Sequence, residues 1–443
     1  MFFDFVGGHS EKTRSVGNKV VMRRWPVNRN ARATPTFNLK FLVMQKILRL
    51  FSFLAMAVIA AGVHAAQGAR DIGEVVVSAE RNTIPIRVSA NTPELNALAL
   101  QAFGAHGRYR LTASGYAYDI KFSLATPTQV RVDITKGAGG APFASEVVSG
   151  ANARNALLRA ADVAVVKTNG LGLKGFFTAE LAFIGERTGK KEVYTSDLFF
   201  GAARKITSDN ALALMPRWSP DGRRLLYTSF FRSGFPDIFQ IDLATLQRTT
   251  FVSFKGTNSG ARFSPTGQQV AMVLSGEGRP EIYISNAQGR QVARKTRSDS
   301  VKSSPCFSPD GSRIVFAMEP GPQLYVMSAA GGAPSRISSG ISGYCAEPDW
   351  SRADPNKIAF TMKVGSMYQI GVLDLSSRTG AQASKASFDG IEPCWLADGR
   401  HLVYTARDRA TSVICILDTV TGKSVRVSPL SFGAVMQANV WTP

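Results

Sequence analysis

From residue 178 onward the chain alternates short apolar runs with turn-forming Ser, Pro, Asp and Gly, and the runs come in sets of four. The most apolar member of each set is Leu225-Leu226-Tyr227, Val270-Ala271-Met272, Ile314-Val315-Phe316, Ile358-Ala359-Phe360 or Leu402-Val403-Tyr404. A third run follows, as in Asp237–Asp242 or Gln323–Ser328, and then a polar fourth such as Ser335–Ser338. Runs this short, rich in β-branched and aromatic residues and bounded by turn chemistry, predict strands. Each set opens on an aromatic anchor: Trp218-Ser-Pro-Asp-Gly222, Phe263-Ser-Pro-Thr-Gly267, Phe307-Ser-Pro-Asp-Gly311, Trp350-Ser-Arg-Ala-Asp354, Trp395-Leu-Ala-Asp-Gly399 and finally Trp441-Thr-Pro443. The anchors are 45, 44, 43, 45 and 46 residues apart, the length of a four-stranded propeller blade.

Proline fixes φ and glycine permits φ > 0, so turn geometry alone explains the anchor motif. The Asp of each turn is therefore expected to be structural, and Thr266 replaces it in the second repeat without breaking the pattern. The sixth anchor ends the chain, and its missing strands are expected upstream at Ala179–Ile184, Glu192–Asp197 and Ala203–Thr207. Trp441 is expected to pair beside the strand near Phe183, closing six blades over 178–443 and leaving no open sheet edge.

Residues 66–177 have a different character. Strands are expected at Glu74–Ser78, Ile84–Ser89, Arg108–Thr112, Asp119–Leu124 and Val130–Thr135. Helices are expected from Thr92-Pro93-Glu94 to about Phe103, with Thr92 as N-cap, and from Asn152 to about Val166. The fold class is thus a small N-terminal α/β domain followed by an all-β six-bladed propeller. Lys136-Gly-Ala-Gly-Gly140 lacks the Gly-Lys-Ser/Thr ending of a phosphate loop and reads as a hairpin or loop.

The N-terminus carries an export pattern. From Met44 a short basic start leads into the apolar run Phe51–Gly62 and then Val63-His64-Ala65, which predicts a signal peptide over 44–65 with cleavage between Ala65 and Ala66. Residues 1–43 lack periodicity and read as a misassigned or unstructured leader. The net charge of +20, from 52 Lys+Arg against 32 Asp+Glu, falls to +12 for residues 66–443. That charge is spread through loops and outer strands, as at Arg223-Arg224 and Arg294-Lys295, with no stacking platform for bases, so nucleic acid is not an expected partner.

An exported chain with this α/β domain, the stretch Lys174-Gly-Phe-Phe-Thr-Ala-Glu-Leu-Ala-Phe183 and six Trp/Phe-Ser-Pro-Asp-Gly-type blades resembles the TolB family, the periplasmic propellers of the Tol–Pal system. The resemblance implies a non-enzymatic scaffold in the periplasm, supporting outer-membrane integrity and cell division. It would bind a Pal-like peptidoglycan-associated lipoprotein at the propeller mouth and TolA through the mature N-terminus, here Ala66, Gln67, Arg70 and Asp71 within Ala66–Glu74. An ordinary disordered terminus is the competing reading of that segment. Inner strands begin at the rim of a propeller channel, which points to Met215-Pro216, Ser259-Gly260, Ser304-Pro305, Glu347-Pro348, Glu392-Pro393 and Ala438-Asn439 as mouth residues. The Glu-Pro-x-Trp form at Glu347 and Glu392 is similar to the family's mouth motif. A monomer is expected, soluble and reaching membranes through its partners.

Enzymatic chemistry finds little footing. No Gly-x-Ser-x-Gly string occurs. With His9 and His64 in the leader, His106 and His401 are too few and too scattered for a triad or a two-histidine metal site, and read as packing or surface residues. No catalytic residue, metal or cofactor is expected. Cys306 and Cys394 occupy equivalent positions in non-adjacent blades, Cys345 lies near the same rim, and buried free thiols are the preferred reading. An exported lyase or hydrolase with its site in the same channel is the alternative, since six-bladed propellers host both classes.

Overall fold

The computed structural model describes residues 83–232 and 234–443. The leader, the signal segment with its Ala65–Ala66 cleavage site, the proposed N-terminal contact Ala66, Gln67, Arg70 and Asp71, and the expected strand Glu74–Ser78 lie outside the described residues.

The α/β part begins with β1 (Ile84–Ala90) and α1 (Pro93–Ala105). The Thr92 side chain accepts the Leu95 N–H and proline fills the first helical position, so one orphan donor is satisfied and another is never made. Strands β2 (Tyr109–Leu111), β3 (Tyr118–Thr126), β4 (Gln129–Lys136) and β5 (Pro142–Ser149) follow, and α2 (Ala153–Thr168) starts at Asn152, whose side chain accepts the Asn155 N–H. The sheet order is β2-β1-β3-β4-β5, with β1 parallel to both neighbours and the rest antiparallel. Lys136–Gly140 is the hairpin between β4 and β5, as expected. Strand β5 was not expected. It is an edge strand exposed along most of its length, with Phe143 and Val147 open to solvent, so it shows no alternation of buried and exposed positions.

The remainder is six four-stranded antiparallel sheets. Their inner strands are Ala213–Trp218, Asn258–Phe263, Lys302–Phe307, Cys345–Trp350, Asp389–Trp395 and Val435–Trp441, which define blades 1 to 6 in that order. The last pairs with Glu180–Gly185, so the two ends of the propeller chain share a blade and the ring of blades is closed. The register differs from expectation by one residue. Val440 lies opposite Leu181, the place Trp218 takes opposite Leu225 in blade 1, while Trp441 lies opposite Glu180 rather than beside Phe183. Trp441 instead stacks on Trp218, with ring centroids 5.7 Å apart, and donates its indole N–H to the Pro220 carbonyl at 3.0 Å.

That stacking makes one turn glycine irreplaceable. Gly222 has φ +68°, and a Cβ there would stand 2.3 Å from the Trp441 ring, whereas Gly267 has φ +73° and a Cβ would meet only Pro220 at 3.6 Å. Gly267→Ala is expected to cost about 1 kcal/mol of backbone strain, and Gly222→Ala about 2–3 kcal/mol because the closing tryptophan must also move. Urea unfolding of the two variants side by side checks this, and equal losses would refute the role given to Trp441.

The anchor-turn carboxylates are structural where expected. Asp221 Oδ1 accepts the Arg223 N–H and the Ser219 hydroxyl, and Asp310 does the same with Ser312 and Ser308. All four cysteines are buried free thiols.

Candidate functional site

All six inner strands carry a bulge at the same height. The residue at its centre has positive φ in every blade: Met215, Gly260, Ser304, Glu347, Glu392 and Gln437. At each of these points the register to the second strand slips. Proline follows in four blades, as Pro216, Pro305, Pro348 and Pro393, and a residue without an N–H belongs in a sheet only at such a break. The mouth residues expected from sequence largely coincide with these bulges. Two do not: Ser259 pairs with Val273 and Asn439 with Ala182, in regular ladder positions. Their places belong to Ala261 and Gln437, the latter because Val440, and not Trp441, stands where the other blades have their anchor aromatic.

The bulge side chains link the blades. Glu347 Oε2 accepts the Glu392 N–H at 2.9 Å and the Thr361 hydroxyl at 2.7 Å. Glu392 Oε2 accepts the Gln437 N–H at 3.1 Å and the Thr405 hydroxyl at 2.7 Å, and the Gln437 amide donates to Glu392 Oε1 at 3.0 Å. Gln437 Oε1 in turn accepts the Met215 N–H at 2.8 Å. Blades 4, 5, 6 and 1 are thus joined by side chains reaching the next blade's bulge amide. Burial and the neighbouring Glu347 push the Glu392 carboxyl up.

One step further along the channel stand Arg217, Arg262, Cys306, Asp349, Cys394 and Asn439, around a cavity of about 600 Å³ whose far wall is the linker Leu171–Lys174. Arg262 pairs with Asp349 at 2.5 Å, and the other Asp349 oxygen accepts the Trp395 N–H at 2.8 Å. Burial pushes the Cys394 thiol up to about 12 and raises Cys306 as well, which leaves both as neutral packing groups.

The two histidines are not scattered. His106, at the end of α1, and His401, in blade 5, are both fully buried with ring centroids 4.4 Å apart. The Gly107 N–H donates to His401 Nε2 at 3.0 Å, so the His401 proton is on Nδ1, which faces Asp398 at 2.5 Å. The Arg108 N–H donates to His106 Nδ1 at 3.2 Å, which places the His106 proton on Nε2, a buried atom without a hydrogen-bond partner. Asp398, His106 and His401 lie close enough to surround an ion. A metal-bound imidazole donates its second N–H outward, yet here the second nitrogen of each ring already accepts from the backbone, so the trio is built as a hydrogen-bonded junction. Beside it Arg400 pairs with Asp418 at 2.6 Å, and Lys423 donates to the Gly104 carbonyl at 2.6 Å. No local sequence signal pointed to this contact.

Fold and channel together define a six-bladed propeller joined to an α/β domain through buried polar contacts. The chain belongs to the family described as the PD40 TolB beta propeller domain, whose profile matches residues 170–443. It is 34% identical over 145 residues to a protein TolB homolog of Chlorobium chlorochromatii (strain CaD3), covering 33% of this chain and 32% of that one. It is 32% identical over 164 residues to the Tol-Pal system protein TolB of Bordetella pertussis, covering 36% and 37%. These alignments span about a third of the curated relatives' length. The crystal structure of TolB from Acinetobacter baumannii superposes with a TM-score of 0.71 at 22% identity, over 81% of this chain and 96% of that one, a likeness of fold.

Proposed function

We propose that this chain is a non-enzymatic binding scaffold of a Tol–Pal-type envelope system, exported to the periplasm, that docks a Pal-like lipoprotein at the propeller mouth. The supporting observation is the state of the mouth carboxylates. Glu347 Oε2 and both oxygens of Glu392 accept from the next blade's inner strand and from Thr361 and Thr405, an arrangement that builds a rigid rim for a partner to rest on. Loops at the same end, where the inner strands begin, expose Phe231, Phe235, Phe254, Ile341 and Met367, the apolar and aromatic surface from which protein contacts are made. Contact with a TolA-like partner through Ala66–Asp71 is part of the same reading and rests on the family alone.

The test is a binding titration of the secreted chain against the peptidoglycan-associated lipoprotein of its own envelope. Phe254→Asp, at a 53% exposed position, is expected to weaken binding about tenfold or more with an unchanged unfolding midpoint. Glu392→Lys breaks the rim itself and is expected to lower stability and binding together. Absence of binding by the unaltered chain would overturn the reading.

A further inference from the structure

We propose that the linker end of the channel is a binding site for a small organic polycarboxylate, recognised by Arg217, Arg352 and Lys174. The site lies at the opposite end of the channel from the mouth contact proposed above and does not depend on it.

The argument is an imbalance of charge. The cavity of about 600 Å³, within the usual range for small-molecule sites, is lined by four cations, Arg217, Arg262, Arg352 and Lys174, and by two carboxylates, Asp349 and Asp398. Both carboxylates are fully engaged. Asp349 holds Arg262 with one oxygen and the Trp395 N–H with the other. Asp398 accepts the Arg400 and His401 amides on Oδ1 and faces the His401 ring with Oδ2. Among the described residues no carboxylate lies within ion-pair distance of Arg217, Arg352 or Lys174.

Arg217 is the most telling of the three. Its one hydrogen bond is from Nη1 to the carbonyl of its own neighbour Pro216, at 3.2 Å. Arg217 is partly buried in the channel wall, and burial with Arg262 next to it pulls its pKa down to about 10 against the weaker opposing effect of the Asp349 and Glu392 carboxylates. A desolvated guanidinium is costly until an anion meets it, and its planar fork fits a carboxylate through two parallel hydrogen bonds. Arg352 and Lys174 are exposed at the rim of the same cavity, where a second and third carboxylate of one ligand would meet them. Asn439 Nδ2, which reaches only the Cys394 sulfur at 3.4 Å, is a further donor on the wall.

The probe is citrate, titrated calorimetrically into the full secreted chain at an ionic strength held constant with sodium chloride. One-to-one binding is expected, weakened about tenfold or more by Arg217→Met and several-fold by the exposed-site change Arg352→Ala, as loss of charge-assisted hydrogen bonds predicts. Arg352→Ala keeps the test decisive should Arg217→Met fail to fold. Heat that chloride alone reproduces, or citrate affinity that neither substitution changes, would overturn the proposal. A chain that binds citrate yet no lipoprotein would leave this site standing and remove the scaffold reading, and the reverse result would do the opposite.

Discussion

Replacing Asp162 by alanine is expected to cost about 4 kcal/mol of stability and to loosen the α/β domain from the propeller. This carboxylate, on α2, accepts the Phe176 and Phe177 N–H groups on Oδ1, both at 2.9 Å, and the Thr178 N–H and hydroxyl on Oδ2 at 3.0 and 2.7 Å. Three successive linker amides thus depend on one side chain. Phe176 and Phe177 are themselves fully buried against Phe103, His106 and His401, so the linker backbone is held in place and the freed amides must find replacement partners in the partly open space that the Asp162 side chain leaves. An unsatisfied buried donor costs about 1–3 kcal/mol, and three at once make this the most damaging single polar substitution we expect in the molecule. Asp162→Asn is expected to lose about half as much, since its carbonyl still accepts while its NH2 faces donors. Guanidinium unfolding gives the magnitude and hydrogen exchange at residues 176–178 gives the place. A loss below about 1 kcal/mol with those amides still protected would refute the clasp.

The second large effect is acid sensitivity of the domain junction. Burial, with His401 and then Arg400 and Lys423 nearby, holds the His106 pKa well below its usual 6.5, and only Asp398 opposes them. A folded state that resists the proton while the unfolded chain accepts it loses stability as pH falls below 6.5, by up to about 1.4 kcal/mol per unit until the folded pKa is reached. Unfolding free energy is therefore expected to drop between pH 7.5 and 5 by up to about 2 kcal/mol from this residue alone. A second loss follows as pH falls below 3.8, where the unfolded chain's aspartate accepts a proton that folded Asp398, held down to about 2 chiefly by His401 against the cost of its burial, still resists. His106→Asn keeps an acceptor near the Nδ1 position for the Arg108 N–H and removes the titrating ring, so its stability should fall less than that of the unaltered chain between pH 7.5 and 5. Denaturant titrations at the two pH values decide it, and parallel losses in both proteins would exclude His106 as the source.

Blade number, blade length, the shared closing blade and the α/β character of the first domain were all legible along the chain. They depend on local chemistry: an apolar run of strand length, a Pro-Asp-Gly turn, a Thr or Asn ahead of a helix. Even the bulges left a local trace, the prolines at 216, 305, 348 and 393, because a residue without an N–H excludes itself from a ladder. Gln437 lost that trace, having alanine after it, and the conspicuous Trp441 drew the register off by one.

The chemistry of the two polar centres was decided by packing. His401 meets the Gly107 amide across 294 positions of sequence, and Arg262 meets Asp349 across 87. Whether a histidine is an exposed strand residue or half of a buried pair, and whether an arginine in a channel has a partner, depends on which blade faces which domain. Sequence periodicity carries the first kind of information because backbone geometry repeats every few residues. It carries none of the second, because distant side chains are brought together only when the ring closes and the α/β domain packs against it.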